Sequence, residues 1–203
     1  LAQPGFAAAP VALSLVPGTM SSLFARDDDS SPQANGPGLL FAPDSEIYRE
    51  GDESRSFYKV VSCVVRTCKF LSDGRRQIEA FHVPGDIFGF EIGAEHRHCA
   101  EAVSGCTIMA YRRRDLERLT ATDTALAWQL FSYAMHCLER AQAHSQLLAR
   151  RSAAEKLAAF LLELAERHQD GAMVELAMTR QDIGDYLGLT IETVSRTVSQ
   201  RES

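Results

Sequence analysis

Three polar side chains near the end of the chain have the types and the spacing needed to read the edges of DNA bases. Glu192, Ser195 and Arg196 stand at positions i, i+3 and i+4, so on a helix they share one face of one turn. Arginine is the usual bidentate partner of guanine, glutamate can accept from cytosine N4, and serine can donate or accept. Taken alone, such a trio is more often a solvated polar face, so the surrounding elements decide the interpretation.

Residues 178–200 predict two short helices joined by a tight turn, which would present these three side chains. Thr179 can cap the first helix with Asp182 as its capping-box partner, and Thr190 can cap the second. Gly188 supplies the residue that turns with a positive φ. Apolar residues recur at helical spacing in both helices: Ile183, Tyr186 and Leu187, then Ile191, Val194 and Val198. This pattern is typical of a helix-turn-helix, whose second helix can lie in a major groove.

The N-termini of the two helices predict contacts with the DNA backbone. Backbone N–H groups and polar side chains at a helix N-terminus bind phosphate well. We expect such contacts from Thr179, Arg180, Gln181, Thr190 and Thr193. For Arg180 alone, a surface charge without a DNA contact is an equally good interpretation.

Composition limits the remaining function classes. The 203 residues carry a net charge of −6, which argues against nonspecific coating of nucleic acid but is compatible with a sequence-specific reader. The chain has no apolar run of about eighteen residues and its opening lacks a basic region, so we expect neither a membrane span nor a signal peptide. Five scattered cysteines in such a chain predict reduced thiols and a cytoplasmic location.

Changes in composition and residue pattern along the chain predict four parts. Residues 1–37, rich in Ala, Pro, Gly and Ser, predict a flexible leader, and residues 38–114 predict an antiparallel β-roll of short strands. Within the roll, the β-branched and aromatic run at 57–70 predicts a strand. Residues 115–149 predict a long helical region with a break between 120 and 123, and residues 150–203 predict the helix-turn-helix domain.

Two apolar faces of the long helix predict that it forms a dimer. One face has a coiled-coil-like spacing of fours and threes, and we expect it to form the dimer interface: Leu126, Leu130, Tyr133, Cys137, Ala141, His144 and Leu148. The alternative for this face is packing against its own β-roll. We expect that role instead for Leu116, Leu119, Trp128 and Phe131 on another face.

The sequence resembles the CRP/FNR family of bacterial transcription regulators. The string TRQDIGDYLGLTIETVSR at 179–196 carries the resemblance, and its E-x-x-S-R part is similar to the FNR and FixK-like branches. The stretches YREGD, LSDGR and VPGDIFG resemble the cyclic-nucleotide-binding type of β-roll that forms the family's sensor domain. The resemblance covers about residues 39–200.

This resemblance implies an α+β fold with an N-terminal antiparallel β-roll, a long dimerisation helix and a C-terminal helix-turn-helix domain. It implies a homodimer in which Glu192, Ser195 and Arg196 read a TTG-type half-site in each arm of a palindromic operator. It also implies activation through contact with RNA polymerase. The family's small domain continues into a β-hairpin wing, so we expect the residues up to 203 to stop short of that wing.

We expect no cofactor or cyclic nucleotide. The family's cyclic-AMP binders use Glu-Leu-Gly and an Arg-Ser pair, where this chain has Ile-Phe-Gly at 87–89 and His-Arg at 96–97. Phe88 should fill the space, although Arg97 could still meet an anion. The alternative is an effector-gated regulator whose β-roll binds a cyclic nucleotide or another small ligand. The FNR branch carries most of its iron–sulfur ligands in an N-terminal cysteine cluster. The leader of this chain contains no cysteine, so against that resemblance we expect no iron–sulfur cluster.

The compact set of His96, His98 and Cys99 could suggest a metal site or a cysteine hydrolase. Zinc sites usually have a second ligand pair at a typical spacing, which is missing, so we expect no metal. Adjacent residues rarely align a nucleophile and a base on a third group, so we expect no enzymatic activity.

Overall fold

The computed structural model describes residues 36–150, 152–167 and 176–199. The expected flexible leader, apart from residues 36 and 37, and the expected stop before the wing lie outside these residues. No helix in the described ranges is long and apolar enough to cross a membrane.

Short antiparallel strands form a roll of two four-stranded sheets. The strands are β1 (Leu39–Phe41), β2 (Glu46–Tyr48), β3 (Ser56–Ser62), β4 (Val65–Phe70), β5 (Arg76–His82), β6 (Ile87–Phe88), β7 (Cys99–Ala102) and β8 (Cys106–Arg112). One sheet has the order β1-β8-β3-β6 and the other β2-β7-β4-β5. The predicted antiparallel β-roll is confirmed.

The run at 57–70 forms two strands, so the single strand that we expected there is wrong. Cys63 takes a positive φ of 92° between β3 and β4. β3 pairs with β8 in one sheet, whereas β4 pairs with β5 and β7 in the other. The chain therefore changes sheet at Cys63, which β-propensity along the run could not reveal.

The same turn brings two cysteines together. Cys63 forms a disulfide with Cys106 at the start of β8, with the Cα atoms 5.1 Å apart. The expectation of reduced thiols is therefore wrong for this pair, because pairing of β3 with β8 closes a sequence separation of 43 residues. The thiols of Cys68, Cys99 and Cys137 are free.

The helical part follows the roll directly. The helices are α1 (Arg113–Thr122), α2 (Thr124–Arg150), α3 (Ala153–Arg167), α4 (Arg180–Leu187) and α5 (Ile191–Ser199). Asp123 separates α1 from α2, and its Oδ1 accepts from the N–H groups of Ala125 and Leu126 at 2.9 and 3.0 Å. This cap starts α2 at the break that the sequence predicted.

The first half of α2 packs its heptad face against its own β-roll. Leu126 is buried in a cluster with Phe57 and Ile87, and Leu130 and Tyr133 pack against that cluster. The Tyr133 hydroxyl donates to the Ile87 carbonyl at 2.8 Å. These contacts occupy the side chains that we expected at a dimer interface.

The second half of α2 uses the same face to contact the helix-turn-helix. His144 stacks on Tyr186 of α4, and Leu148 approaches Gly188 at the end of α4. Cys137 and Ala141 lie between the two contacts and are exposed. Cys137 is thus not a core residue.

The opposite face of α2 is apolar and open. Trp128 and Phe131 are 68% and 54% exposed, so the expectation that they pack against their own roll is wrong. Met135 and Leu138 continue the same stripe and are also exposed. The structure thus covers the face that we expected at the dimer interface and leaves the other face open, because spacing alone cannot tell which of two apolar faces meets the same chain.

One apolar core joins the β-roll to the C-terminal helices. Phe81 of β5 packs against Phe160 of α3 and Tyr186 of α4, with ring centroids 6.0 and 5.3 Å apart. Ile78 and Leu187 are fully buried in the same cluster. The helix-turn-helix is thus docked on the second sheet of its own roll.

Candidate nucleic-acid interface

The first helix of the helix-turn-helix begins at the predicted capping box. The Asp182 N–H donates to Thr179 Oγ1 at 3.1 Å, and the Thr179 N–H donates to Asp182 Oδ2 at 3.0 Å. At the other end, Gly188 adopts a φ of 63°, the left-handed conformation that glycine takes most readily. Both predictions are confirmed.

The turn between the helices needs a second glycine, which sequence reasoning did not single out. The Leu189 N–H donates to the Gly184 carbonyl at 2.9 Å, so the turn folds back onto α4. A Cβ on Gly184 would lie 2.7 Å from the Leu189 carbonyl oxygen. The close approach of turn and helix therefore depends on the absence of a side chain at Gly184.

The recognition helix α5 buries one side and opens the other. On the inner side of α5, Val194 is fully buried. On the outer side, Glu192 and Arg196 are exposed and Ser195 is half-buried. The Thr193 N–H donates to Thr190 Oγ1 at 3.3 Å, which confirms Thr190 as the cap of this helix. The three side chains expected to read bases thus lie on the accessible part of a well-packed helix.

The side chains expected to contact the DNA backbone lie beside this reading face. Thr179, Arg180, Gln181 and Thr190 are exposed, and Thr193 is half-buried. Arg180 Nη1 donates to the Ser195 hydroxyl at 3.4 Å. This contact places a guanidinium from α4 beside Ser195 on the exposed side of α5. Gln181 instead donates to Asp185 Oδ1 at 2.6 Å.

The charge of Glu192 suits its expected role. A hydrogen bond from its own backbone N–H and one from the Thr190 hydroxyl lower the pKa of Glu192, and the nearby Arg196 charge lowers it further. The carboxylate is therefore ionised at neutral pH and can only accept hydrogen bonds. Such an acceptor matches the N4 amino group of cytosine.

Aromatic side chains of the β-roll stack on one another around Phe88. Phe88 is buried and stacks on Tyr58 and His82, each at 5.3 Å between ring centroids. The Arg97 guanidinium lies at the surface, where its Nε donates to Glu91 Oε2 at 2.9 Å. The arginine considered for a cyclic phosphate is thus paired with a carboxylate of the same chain.

The three side chains of the compact His/Cys set each contact a different partner. His96 stacks on Tyr48 at 3.7 Å between ring centroids, His98 pairs with Glu79 at 3.2 Å, and the Cys99 Sγ accepts from the Glu50 N–H at 3.4 Å. Across the part of the chain that the structure describes, no group of three or more His, Cys, Asp or Glu residues could hold a metal ion.

Sequence reasoning missed two groups of residues. The first is the pair Met135 and Leu138, which continues from Trp128 and Phe131 at four- and three-residue spacing and completes the exposed stripe of α2. The second is a set of ion pairs between Arg66 and Arg76 of the roll and Asp182 of α4. No local signal marks these arginines, because their partner lies more than a hundred residues away.

Comparison with known proteins agrees with this architecture. Residues 39–123 match the cyclic nucleotide-binding domain, and residues 155–202 match the Crp-like helix-turn-helix domain. The chain is 46% identical over 187 residues to the nitrogen fixation regulation protein FixK of Azorhizobium caulinodans, covering 88% of this chain and 75% of that protein. It is 43% identical over 168 residues to FixK of Rhizobium meliloti, covering 82% and 76%.

Among solved structures, FixK2 from Bradyrhizobium japonicum superposes with a TM-score of 0.78 at 45% identity, over 81% of this chain and 83% of that one. The match therefore includes the roll, the long helix and the helix-turn-helix together. The chain belongs to the FixK-like branch of the CRP/FNR family and is a DNA-binding transcription regulator.

Proposed function

We propose that the chain acts as a homodimer that reads a palindromic operator, with Glu192, Ser195 and Arg196 contacting the bases of a TTG-type half-site in each arm. The observation that carries this proposal is the presentation of α5, which holds Val194 in the core and leaves Glu192 and Arg196 open. Arginine and glutamate are suited to a guanine and a cytosine in the major groove.

The exposed stripe of α2 supports the homodimer. Trp128 and Phe131 stack on each other at 5.4 Å between ring centroids, and both are open on a helix of 27 residues. A contiguous apolar stripe of this kind is typical of an interface between helices. Pairing two copies along this stripe would give two recognition helices, which a palindrome with half-sites about 34 Å apart requires.

Backbone contacts by Thr179, Arg180, Gln181, Thr190 and Thr193 would fix the register of each half on the duplex. Their position at the two helix N-termini, where N–H groups point outward, supports this role. The Arg180–Ser195 hydrogen bond at 3.4 Å supports a phosphate contact close to the base-reading face.

We propose that DNA binding does not depend on a cyclic nucleotide. The stacked rings of Phe88, Tyr58 and His82 and the Arg97–Glu91 pair support a roll that carries no such ligand. Isothermal calorimetry with cyclic AMP and cyclic GMP should give no saturable heat. A saturable signal that also tightens operator binding would instead support the effector-gated alternative.

The family likeness supports a cytoplasmic activator that contacts RNA polymerase and has no enzymatic activity.

Selection of bound sequences from a random DNA pool tests the central proposal. We expect an inverted repeat with TTG-type arms. Enrichment of a single, non-repeated motif would contradict binding as a homodimer. A selection that enriches no motif would contradict sequence-specific binding by these residues.

A further inference from the structure

A buried carboxylate at the start of the helix-turn-helix binds the cap residue of its own helix and two arginines of the β-roll. Asp182 is only 1% exposed. Its Oδ2 accepts from the N–H and the hydroxyl of Thr179 at 3.0 and 2.8 Å, which caps α4. Its Oδ1 accepts instead from Arg66 Nη1 on β4 at 3.1 Å and from Arg76 Nη2 on β5. The residue that starts α4 is thus also bound by the sensor-like roll.

A second carboxylate on the same helix strengthens this contact. Arg76 Nε donates to Asp185 Oδ2 at 2.9 Å, so one guanidinium bridges two acids one turn apart on α4. Charge-assisted hydrogen bonds of this kind have defined geometry as well as strength. We call Arg66, Arg76, Asp182 and Asp185 the interdomain ion-pair network.

The arginines of the network are held in place within the roll. Arg66 Nε donates to Glu101 Oε2 of β7 at 2.7 Å, and Arg66 Nη2 donates to Asp44 at 3.0 Å. Arg76 Nη1 lies 3.6 Å from the same Glu101 oxygen. Both guanidinium groups therefore also have acidic partners within the roll.

The network leaves the DNA-reading surface open. Asp182 and Asp185 face the roll, whereas Arg180, Glu192 and Arg196 are exposed. The apolar core beneath the network, with Phe81 against Tyr186, favours docking but fixes no single orientation as sharply as directional ion pairs do. The docked arrangement is thus compatible with DNA binding, and the ion pairs add directional contacts to it.

We infer that Arg66 and Arg76 are positioning residues for DNA recognition, which hold each helix-turn-helix at a fixed place on its own β-roll and so set the separation of the two recognition helices. This inference rests on the proposed homodimer. Its consequence is selectivity for the spacer between the half-sites. Affinity for one isolated half-site depends on the contacts that α4 and α5 of a single helix-turn-helix make, and it should not require the network.

The test uses the full chain and three probes: a palindrome with the selected spacer, one with an altered spacer, and a single half-site. We expect Arg76→Gln to reduce the ratio of affinities for the two palindromes by about fivefold or more while half-site affinity stays unchanged. Arg76→Lys keeps the charge and should restore part of the ratio. Arg75→Gln is the matched control, because Arg75 lies next to Arg76 and pairs only with Asp73 among the ion pairs seen, with a side chain that is 78% exposed.

Several outcomes separate the possibilities. If Arg76→Gln is folded by circular dichroism and keeps the wild-type ratio, or lowers affinity for all three probes alike, the inference is overturned. If Arg76→Gln does not fold, Asp185→Asn carries the same expectation, because it removes the charge without touching the capping box. If the wild type itself shows no preference for a palindrome, the proposed function fails; retained preference in the variants overturns only the positioning role.

Discussion

His144 on α2 and Tyr186 on α4 stack face to face, with ring centroids 4.0 Å apart and ring planes within 5°. His144 Nε2 donates to the Tyr186 carbonyl at 2.9 Å, because a carbonyl can only accept. Burial lowers the pKa of His144, although this hydrogen bond and the charges of Glu163 and Glu79 oppose the shift; Lys156 adds to it. The long helix is thus joined to the DNA-binding unit by a histidine whose neutral form is favoured by burial.

The first prediction concerns stability at acidic pH. The pKa of His144 in the folded state lies below its unfolded value of about 6.5. Neutral His144 therefore supports the folded state above about pH 6.5, and this contribution to the unfolding free energy is lost as the pH falls below that value. Urea unfolding between pH 7.5 and 5.5 should show decreasing stability, with at most about 1.4 kcal/mol per pH unit from this group. His144→Gln, which cannot titrate, should give a shallower slope. His136→Gln, at an exposed position of α2, is the control, and equal slopes for wild type and His144→Gln would contradict the prediction.

The second prediction concerns the turn of the helix-turn-helix. Gly184→Ala places a Cβ against the Leu189 carbonyl, which must move, so we expect a loss of about 1–3 kcal/mol in unfolding free energy. Gly105→Ala is the control, since a Cβ there meets nothing within 4 Å. Denaturant unfolding of both variants measures the difference. A similar small effect for the two substitutions would show that the turn has room.

Local signals predicted the DNA-binding unit well, because its features are set within about twenty residues. Thr179, Asp182 and Gly188 each have the conformation or the contact that their residue types indicate. The second role of Asp182 could not be predicted, because Arg66 lies 116 positions away and reaches it only through the roll. A sequence pattern specifies a helix cap but not which distant strand supplies a counter-charge.

The long helix shows the same limit. Leu126 and Trp128 belong to two apolar faces of comparable spacing, and which of them is covered depends on the shape of the roll. The order of the sheets likewise brings Cys63 to Cys106, and neither cysteine has a local motif. Periodicity therefore identified the elements, while long-range packing decided their partners.

The third prediction concerns the disulfide. Closing a loop of 43 residues between Cys63 and Cys106 restricts the unfolded chain, so reduction should lower the unfolding free energy by about 2–4 kcal/mol. Urea unfolding with and without dithiothreitol measures this difference. Cys63→Ser should unfold alike under both conditions, whereas Cys137→Ser should respond as the wild type does. A wild type insensitive to reductant would contradict a disulfide in the folded protein.

The fourth prediction concerns the exposed stripe of α2. A carboxylate at Leu138 would be desolvated in an interface between two copies, so Leu138→Glu should raise the dimer dissociation constant by about tenfold or more. Leu162→Glu is the matched control, since it replaces another exposed leucine of a helix that lies outside the stripe. Sedimentation equilibrium measures both constants. Equal constants for the two variants would remove Leu138 from the interface.

The fifth prediction separates base reading from backbone contact on the DNA-binding surface. Arg196→Ala should cost about 1–3 kcal/mol on the selected operator and relax selectivity at one guanine, because a bidentate donor to O6 and N7 is lost. Arg180→Ala should weaken binding to every probe alike and reduce the slope of log affinity against log salt by about 1, as loss of one phosphate contact does. Fluorescence anisotropy on operators with single base changes, at several salt concentrations, measures both effects.

The comparison of these two variants is informative because both arginines are exposed on the helix-turn-helix, and Arg180 contacts Ser195, the chain neighbour of Arg196. A change in binding that came only from disturbed folding of the helix-turn-helix would therefore be expected in both variants alike. If Arg196→Ala lost affinity equally on all base-substituted probes, Arg196 would be a backbone contact. If Arg180→Ala instead changed selectivity at one base position, Arg180 would be assigned a base contact. The base-contacting surface would then extend from α5 onto the N-terminus of α4.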